Sequence, residues 1–284
     1  VFEKCLSFGN DVQIIHEPYL CAKQSGPEKK SGDLNEVTKG FQHLLKQSQD
    51  QAQQAGDIQG WDDKECSFQW VKDTLEANYP TKKVVFCKDI INGIVGRFDM
   101  IPRGYRHTFL LRNPTKVLLS MRKLITKVLP PSVPVEMFRM DSMLEKKGDV
   151  DTAKLFFGDM VDLIDHLDKE GMETAPIIID ADDLQNHPES ILRQYCETVG
   201  IPYSASLLQW EAGDAVVKKN WLTSKALLQG NKTASYYAAA FASTKFQPSK
   251  EPLPSNDQLT PDVIELASKA MPYYQQLYER RLKP

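Results

Sequence analysis

Arg112 and Ser120 stand eight residues apart in the run His107-Thr-Phe-Leu-Leu-Arg-Asn-Pro-Thr-Lys-Val-Leu-Leu-Ser-Met-Arg-Lys123. A guanidinium is planar, permanently charged and able to grip a phosphate with two parallel hydrogen bonds. A hydroxyl two helical turns later can add a third. Each charge-assisted bond contributes about 1.5–3 kcal/mol, so two or three would hold a phosphate firmly. Spacing alone leaves another reading open: Arg112-Asn-Pro114 as a plain strand-to-helix turn, with Ser120 a neutral helix residue.

The elements around the pair decide between these. Thr108–Leu111 reads as a strand, Asn113 as a helix cap and Pro114 as a first-turn residue. Val117, Leu118, Met121, Leu124, Ile125 and Val128 then form one apolar stripe, predicting a helix over 115–128. Arg112 would sit at the carboxyl end of a strand, where open α/β sheets bind ligands. Val12–Ile15, Val84–Cys87 and Pro176–Ile179 are further apolar runs of strand length, and 68–77 and 152–169 carry helical periodicity. Alternating strands and helices predict an α/β fold: three layers, with a mainly parallel central sheet flanked by helices. Residues 23–63 are polar and read as an insertion or a solvated helix with loose flanks; 243–258 reads as a surface loop. A last helix begins at Thr260-Pro261, and Pro272 is expected to kink or end its first half. The whole chain, 1–284, reads as one domain.

Arg112-Asn-Pro, with Ser120 eight residues after the arginine, resembles the 3′-phosphate signature of sulfotransferases that use 3′-phosphoadenosine-5′-phosphosulfate (PAPS). Other segments agree in order. Val1–Phe8 resembles the helix after that family's phosphosulfate loop, and His16-Glu-Pro-Tyr19 a segment found in a subset of members. Lys88-Asp89 ends a strand where cytosolic members carry Lys. Ile178-Ile-Asp-Ala-Asp-Asp-Leu184, His187-Pro188 and Tyr195-Cys-Glu-Thr-Val-Gly-Ile201 are similar to the family's late strand and helix. The resemblance implies a P-loop NTPase-like sulfotransferase fold, PAPS as donor, its desulfated form PAP as product, and Arg112 and Ser120 on the 3′-phosphate. Two features depart from it. The phosphosulfate loop itself is absent, its place falling just before Val1, so a preceding segment is expected. Lys218-Lys-Asn-Trp221 is a faint equivalent of the family's basic Gly-rich loop.

Sulfuryl transfer needs in-line placement, charge neutralisation and a base. The resemblance implies Glu17 as the base, held after a strand by Pro18, with His16 as the runner-up. Adjacent residues of an extended segment point to opposite sides, so one of the two is expected to face the acceptor. Lys88 is the candidate for the departing phosphate. Each has a bland counterpart: a strand-end hydrogen bond for Glu17 or His16, a surface ion pair for Lys88. Asp182 and Asp183 read as cap and surface residues, and His107, His166 and His187 as structural or surface residues with no metal. Trp61, Trp70, Trp210, Trp221 and Tyr236-Tyr237 read as core rather than site.

The net charge of −3 argues against a nucleic-acid or membrane binder. Five scattered cysteines without a C-x-x-C pair point to a reducing compartment, hence a cytoplasmic expectation, with a secretory address left open. The expected partner is a small hydroxyl or amine acceptor. The competing class is a non-catalytic ligand-binding protein on the same fold.

Overall fold

The computed structural model describes residues 1–7, 11–29, 60–127, 129, 134–135, 138–141, 144, 152, 154–234, 237–249 and 252–284. They fall into two compact units. Among the described residues there are five strands: β1 (Val12–His16), β2 (Val84–Lys88), β3 (Thr108–Leu111), β4 (Ile177–Asp180) and β5 (Trp221–Thr223).

The first unit is built on β2-β1-β5, all parallel, with His16 opposite Lys88 and Thr223 in register. Ile14 and Ile15 are fully buried, as a strand covered on both faces requires. The neighbouring β2 is only half-buried along its length, contrary to the fully covered strand its apolar run predicts. Two helices, Pro18–Gln24 and Phe68–Glu76, flank the strands. Ser67 caps the second by accepting the Trp70 N–H, and Phe68, Val71 and Leu75 bury its inner face. Each such apolar side chain contributes about 1.5–3 kcal/mol. Gly93 lets the helix Ile91–Ile94 approach closely, because a Cβ there would lie 2.6 Å from the Leu20 nitrogen.

Most of the expected polar insertion, 30–59, lies outside the described residues. Its end does not behave as polar surface: Trp61 and Asp63 are buried, Asp63 accepting the Ser224 hydroxyl. The β5 strand has only three residues, too few for a sequence period to mark it.

The second unit is built on β3 and β4, parallel and in register from Thr108–Ile177 to Leu111–Asp180. The helix Pro114–Thr126 starts as expected, its Asn113 side chain accepting the Thr115 N–H. The stripe is shallower than predicted; Leu118 is fully buried, whereas Val117, Met121, Leu124 and Ile125 are half-buried, and Val128 lies outside the described residues. The helix expected over 152–169 begins at Phe157. Leu155 and Phe156 have positive φ, so the chain turns there instead of continuing helically. The helix Pro188–Val199 stops at Gly200, whose φ of 75° supplies the left-handed cap.

The terminal helix Pro261–Glu279 runs through Pro272 without ending. Buried Leu266, Ala267 and Ala270 precede the proline and Tyr274 and Leu277 follow it, so packing on both sides outweighs the lost backbone bond. Beyond it, the Leu282 N–H donates to Ile178 of β4 at 2.8 Å. No helix among the described residues is long and apolar enough to cross a membrane.

Candidate functional site

At the carboxyl end of β1 the backbone leaves the strand abruptly. Glu17 takes φ 54°, ψ 44°, a left-handed conformation that costs a non-glycine residue about 1 kcal/mol or more. Its N–H still donates to the Lys88 carbonyl at 2.7 Å, and Pro18 starts the next helix. The turn re-aims the Glu17 side chain. His16 and Glu17 therefore do not point to opposite sides, as an extended segment would require; both converge on one hydroxyl.

That hydroxyl belongs to Tyr237. It lies 3.0 Å from Nε2 of His16 and donates to Oε2 of Glu17 at 3.0 Å. Nδ1 of His16 sits 2.8 and 3.0 Å from the two oxygens of Glu3. Lys88 forms an ion pair with Oε1 of Glu17. The imidazole also packs on Trp221 at 4.8 Å between ring centroids. The result is a continuous chain: Glu3, His16, Tyr237, Glu17, Lys88. His16 is 2 % exposed and Glu17 3 %, whereas Tyr237 is half-buried and the Lys88 side chain is 35 % exposed.

The charges hold one another. Burial would raise the Glu17 carboxyl, but Lys88 and His16, helped by the hydrogen bonds from Lys88 and Tyr237, outweigh it and keep Glu17 below the ordinary glutamate value. Burial opposes the Lys88 charge, yet the carboxylates of Glu17 and Glu3 carry Lys88 above its ordinary value. Burial, and then the Glu17 charge, push Tyr237 well up. Asp89 beside them caps the helix Pro18–Gln24, accepting from the N–H groups of Tyr19 at 2.6 Å and Leu20 at 3.2 Å. Burial and the nearby Glu17 push it up to about 7.

In the second unit, Arg112 follows β3 directly, and its side chain is 39 % exposed. Its Nε lies 3.8 Å from Oδ1 of Asp182, too far for a hydrogen bond, and both atoms are buried without a hydrogen-bond partner. Lys116, in the first turn of the helix, donates to Oδ2 of Asp182 at 2.7 Å and to the Ser249 hydroxyl at 3.0 Å. Ser120 is exposed on the same helix. Two cations thus gather around one carboxylate. Such an arrangement can accept a second anion if Asp182 yields its share.

The aspartates differ from the cap-and-surface reading. The cap is Asp180, which accepts from the N–H groups of both Asp182 and Asp183. Asp182 pairs with Lys116, and Asp183 with Arg281 at 2.6 Å; both are largely covered. Among the core aromatics, Trp61, Trp210 and Trp221 are buried, whereas Trp70 is half-buried and Tyr236 lies outside the described residues. Trp221 joins Ile14, Val216 and Val217 in the core, whereas Tyr237 departs from the core reading. Glu3 and Tyr237 were not legible as site residues: they lie far from the motif in sequence, and nothing local marks either. No cluster of metal-binding type occurs among the described residues.

Residues 139–281, just over half of the chain, match the family model described as a sulfotransferase domain. The matched span includes Asp180, Asp182 and Tyr237. The chain is 29 % identical over 198 residues to branched-chain-amino-acid aminotransferase-like protein 1 of Arabidopsis thaliana, covering 67 % of this chain and 31 % of that protein. Protein 2 of the same name is 32 % identical over 150 residues, covering 52 % and 22 %. The chain thus spans about a third or less of these relatives. A solved structure, the sulfotransferase domain from the curacin biosynthetic pathway, aligns over 93 % of this chain and 98 % of its own at 15 % identity and a TM-score of 0.39. On the strength of the family match, with a parallel α/β framework around it, the chain belongs to the sulfotransferase family.

Proposed function

We propose that the chain transfers a sulfuryl group from PAPS to a hydroxyl or amine of a small-molecule acceptor, with Glu17 as base. One observation carries the reading: a buried carboxylate at the carboxyl end of a parallel strand, held between a tyrosine and a lysine that reaches solvent. In the step proposed, the acceptor's oxygen or nitrogen bonds to sulfur, its proton passes to Glu17, and the bond from sulfur to the 5′-phosphate oxygen breaks to leave PAP. A base held below the ordinary glutamate range is a weak one. Lys88 supplies the remedy. An incoming sulfate or phosphate oxygen competes with Glu17 for its ammonium, and a carboxylate relieved of that partner becomes more basic. His16, facing Glu3 and Tyr237, supports Glu17 rather than replacing it. Arg112, with Ser120, would take the 3′-phosphate.

The near-complete burial of Glu17 and His16 favours a second reading, a non-catalytic ligand-binding protein, in which the cluster is only a strut. Nucleotide binding and turnover separate the two. PAP at about a hundredfold over its dissociation constant stabilises a protein by about 2.7 kcal/mol. Full-length protein should therefore melt several degrees higher with PAP in differential scanning fluorimetry. Arg112→Ala should lose most of that rise, because losing charge-assisted bonds of about 1.5–3 kcal/mol weakens binding roughly tenfold to a hundredfold. Absence of any rise at millimolar PAP would remove the nucleotide. Label transfer from sulfur-35 PAPS across an acceptor panel then tests the chemistry.

Asp182→Asn should act in the opposite direction. Its carboxylate competes with a phosphate for Lys116 and Arg112, so neutralising it should tighten PAP roughly tenfold. Titration calorimetry checks this; unchanged affinity would place the phosphate elsewhere.

A further inference from the structure

We propose that Tyr237 is a positioning residue for the Glu17 base: its hydroxyl claims Oε2 and leaves Oε1, the oxygen beside Lys88, to receive the acceptor's proton. This rests on the reading of Glu17 as base.

The hydrogen count leads there. A phenol has one hydrogen, and both Nε2 of His16 and Oε2 of Glu17 lie 3.0 Å from the Tyr237 oxygen. Nδ1 of His16 faces both oxygens of Glu3, so Nδ1 carries a hydrogen. An ionised Glu17 can only accept. Tyr237 therefore donates to Oε2; its oxygen accepts from Nε2 of His16 when the imidazole carries a hydrogen on both nitrogens, with Glu3 facing Nδ1. Each oxygen of Glu17 thus accepts one hydrogen bond, Oε2 from Tyr237 and Oε1 from Lys88. Lys88, whose side chain is 35 % exposed, can turn to an incoming anion and so vacate Oε1, which then keeps only the more distant His16 Nε2 at 3.8 Å. The carboxylate is thus held in one rotation, with a protected oxygen and a working one.

The segment bearing Tyr237 is itself fixed. Lys4, 1 % exposed, donates to the carbonyls of Phe241 at 2.9 Å, Ser243 at 3.1 Å and Ala240 at 3.3 Å. Tyr237 precedes the helix Ala238–Ala242, and its carbonyl accepts from the Phe241 N–H at 2.8 Å. Glu3 and Lys4 are neighbours in the helix Phe2–Leu6. One short helix therefore holds the imidazole through Glu3 and the tyrosine's helix through Lys4. The remaining charged groups facing the pair are Lys88 and Asp89 at the end of β2.

The test follows Glu17 itself. In protein labelled with carbon-13 at the glutamate carboxyl, the Glu17 resonance is assigned by its loss in Glu17→Gln and titrated with pH. Tyr237→Phe keeps the ring and removes the hydroxyl. It should move the Glu17 midpoint up by about one pH unit, the size expected for losing a hydrogen bond to a charged group. In PAPS turnover across the acceptor panel, it should lower kcat roughly tenfold with KM for PAPS unchanged, and shift the acid limb of the rate profile by the same amount. An unmoved Glu17 midpoint in Tyr237→Phe, with turnover lost in Glu17→Gln, overturns the inference and keeps the base. Undiminished turnover in Glu17→Gln overturns the base. A folding defect would show as a lost PAP melting shift, and a retained shift excludes it; Tyr237→Trp, which cannot supply a hydroxyl to Oε2, should move the midpoint in the same direction.

Discussion

Glu17→Gln should lower sulfuryl transfer by about a hundredfold to ten-thousandfold, the usual weight of a positioned general base, while leaving the PAP melting shift intact. The substitution is nearly isosteric. The amide oxygen can still accept from Tyr237 or Lys88, and the left-handed backbone accepts glutamine no worse than glutamate. What disappears is the capacity to take a proton. The pH dependence has a definite sign. Glu17 is held below the ordinary glutamate range, so it is ionised throughout neutral pH and is lost as a base only as pH falls through its own depressed value. The acid limb of kcat/KM should therefore lie below that ordinary range, and Glu17→Gln should abolish it. Stability follows the same sign: the favourable charge is fully present above the ordinary glutamate value and fades in acid. A rate profile whose acid limb falls near neutrality in the wild type would assign the base elsewhere.

Asp180→Ala should have the largest effect on stability, a loss of about 3 kcal/mol. Asp180 is 3 % exposed at the end of β4. One oxygen accepts from the N–H groups of Asp182 at 2.9 Å and Asp183 at 3.2 Å, capping the helix Ala181–Asn186. The other accepts from the Tyr274 hydroxyl at 3.1 Å. Loss of a cap costs about 1 kcal/mol. The buried Tyr274 hydroxyl, left without its acceptor, costs about 1–3 kcal/mol more. Asp180→Asn keeps an acceptor for the cap and should recover at least half of the loss in urea unfolding. An alanine variant within 0.5 kcal/mol of the wild type, a margin typical of surface sites, would show that neither bond matters.

Much of the framework was legible because its elements carry strong local signals. The β3 strand and the helix after it were written in the apolar run Thr108–Leu111 and in Asn113-Pro114. The β5 strand was not, having three residues and no period. The start of the helix Phe157–Lys169 was missed because Leu155 and Phe156 take positive φ, which neither residue type signals. The site divides the same way. Glu17, His16 and Lys88, which the structure brings together, were singled out through a segment and a strand end that resembled a family. Glu3 and Tyr237 could not be, since Tyr237 meets His16 across 221 positions of chain and belongs to no motif. Opposite orientations for His16 and Glu17 were a fair reading of extended backbone, overturned by a single dihedral angle.

That dihedral has a consequence for how such a protein can change. At position 17 the main chain would be most relaxed as glycine, while the pocket calls for a carboxylate. A population filtered for heat resistance alone would drift toward the smaller residue and lose its reactivity unnoticed, whereas one filtered for product would keep the acid and carry the distortion indefinitely.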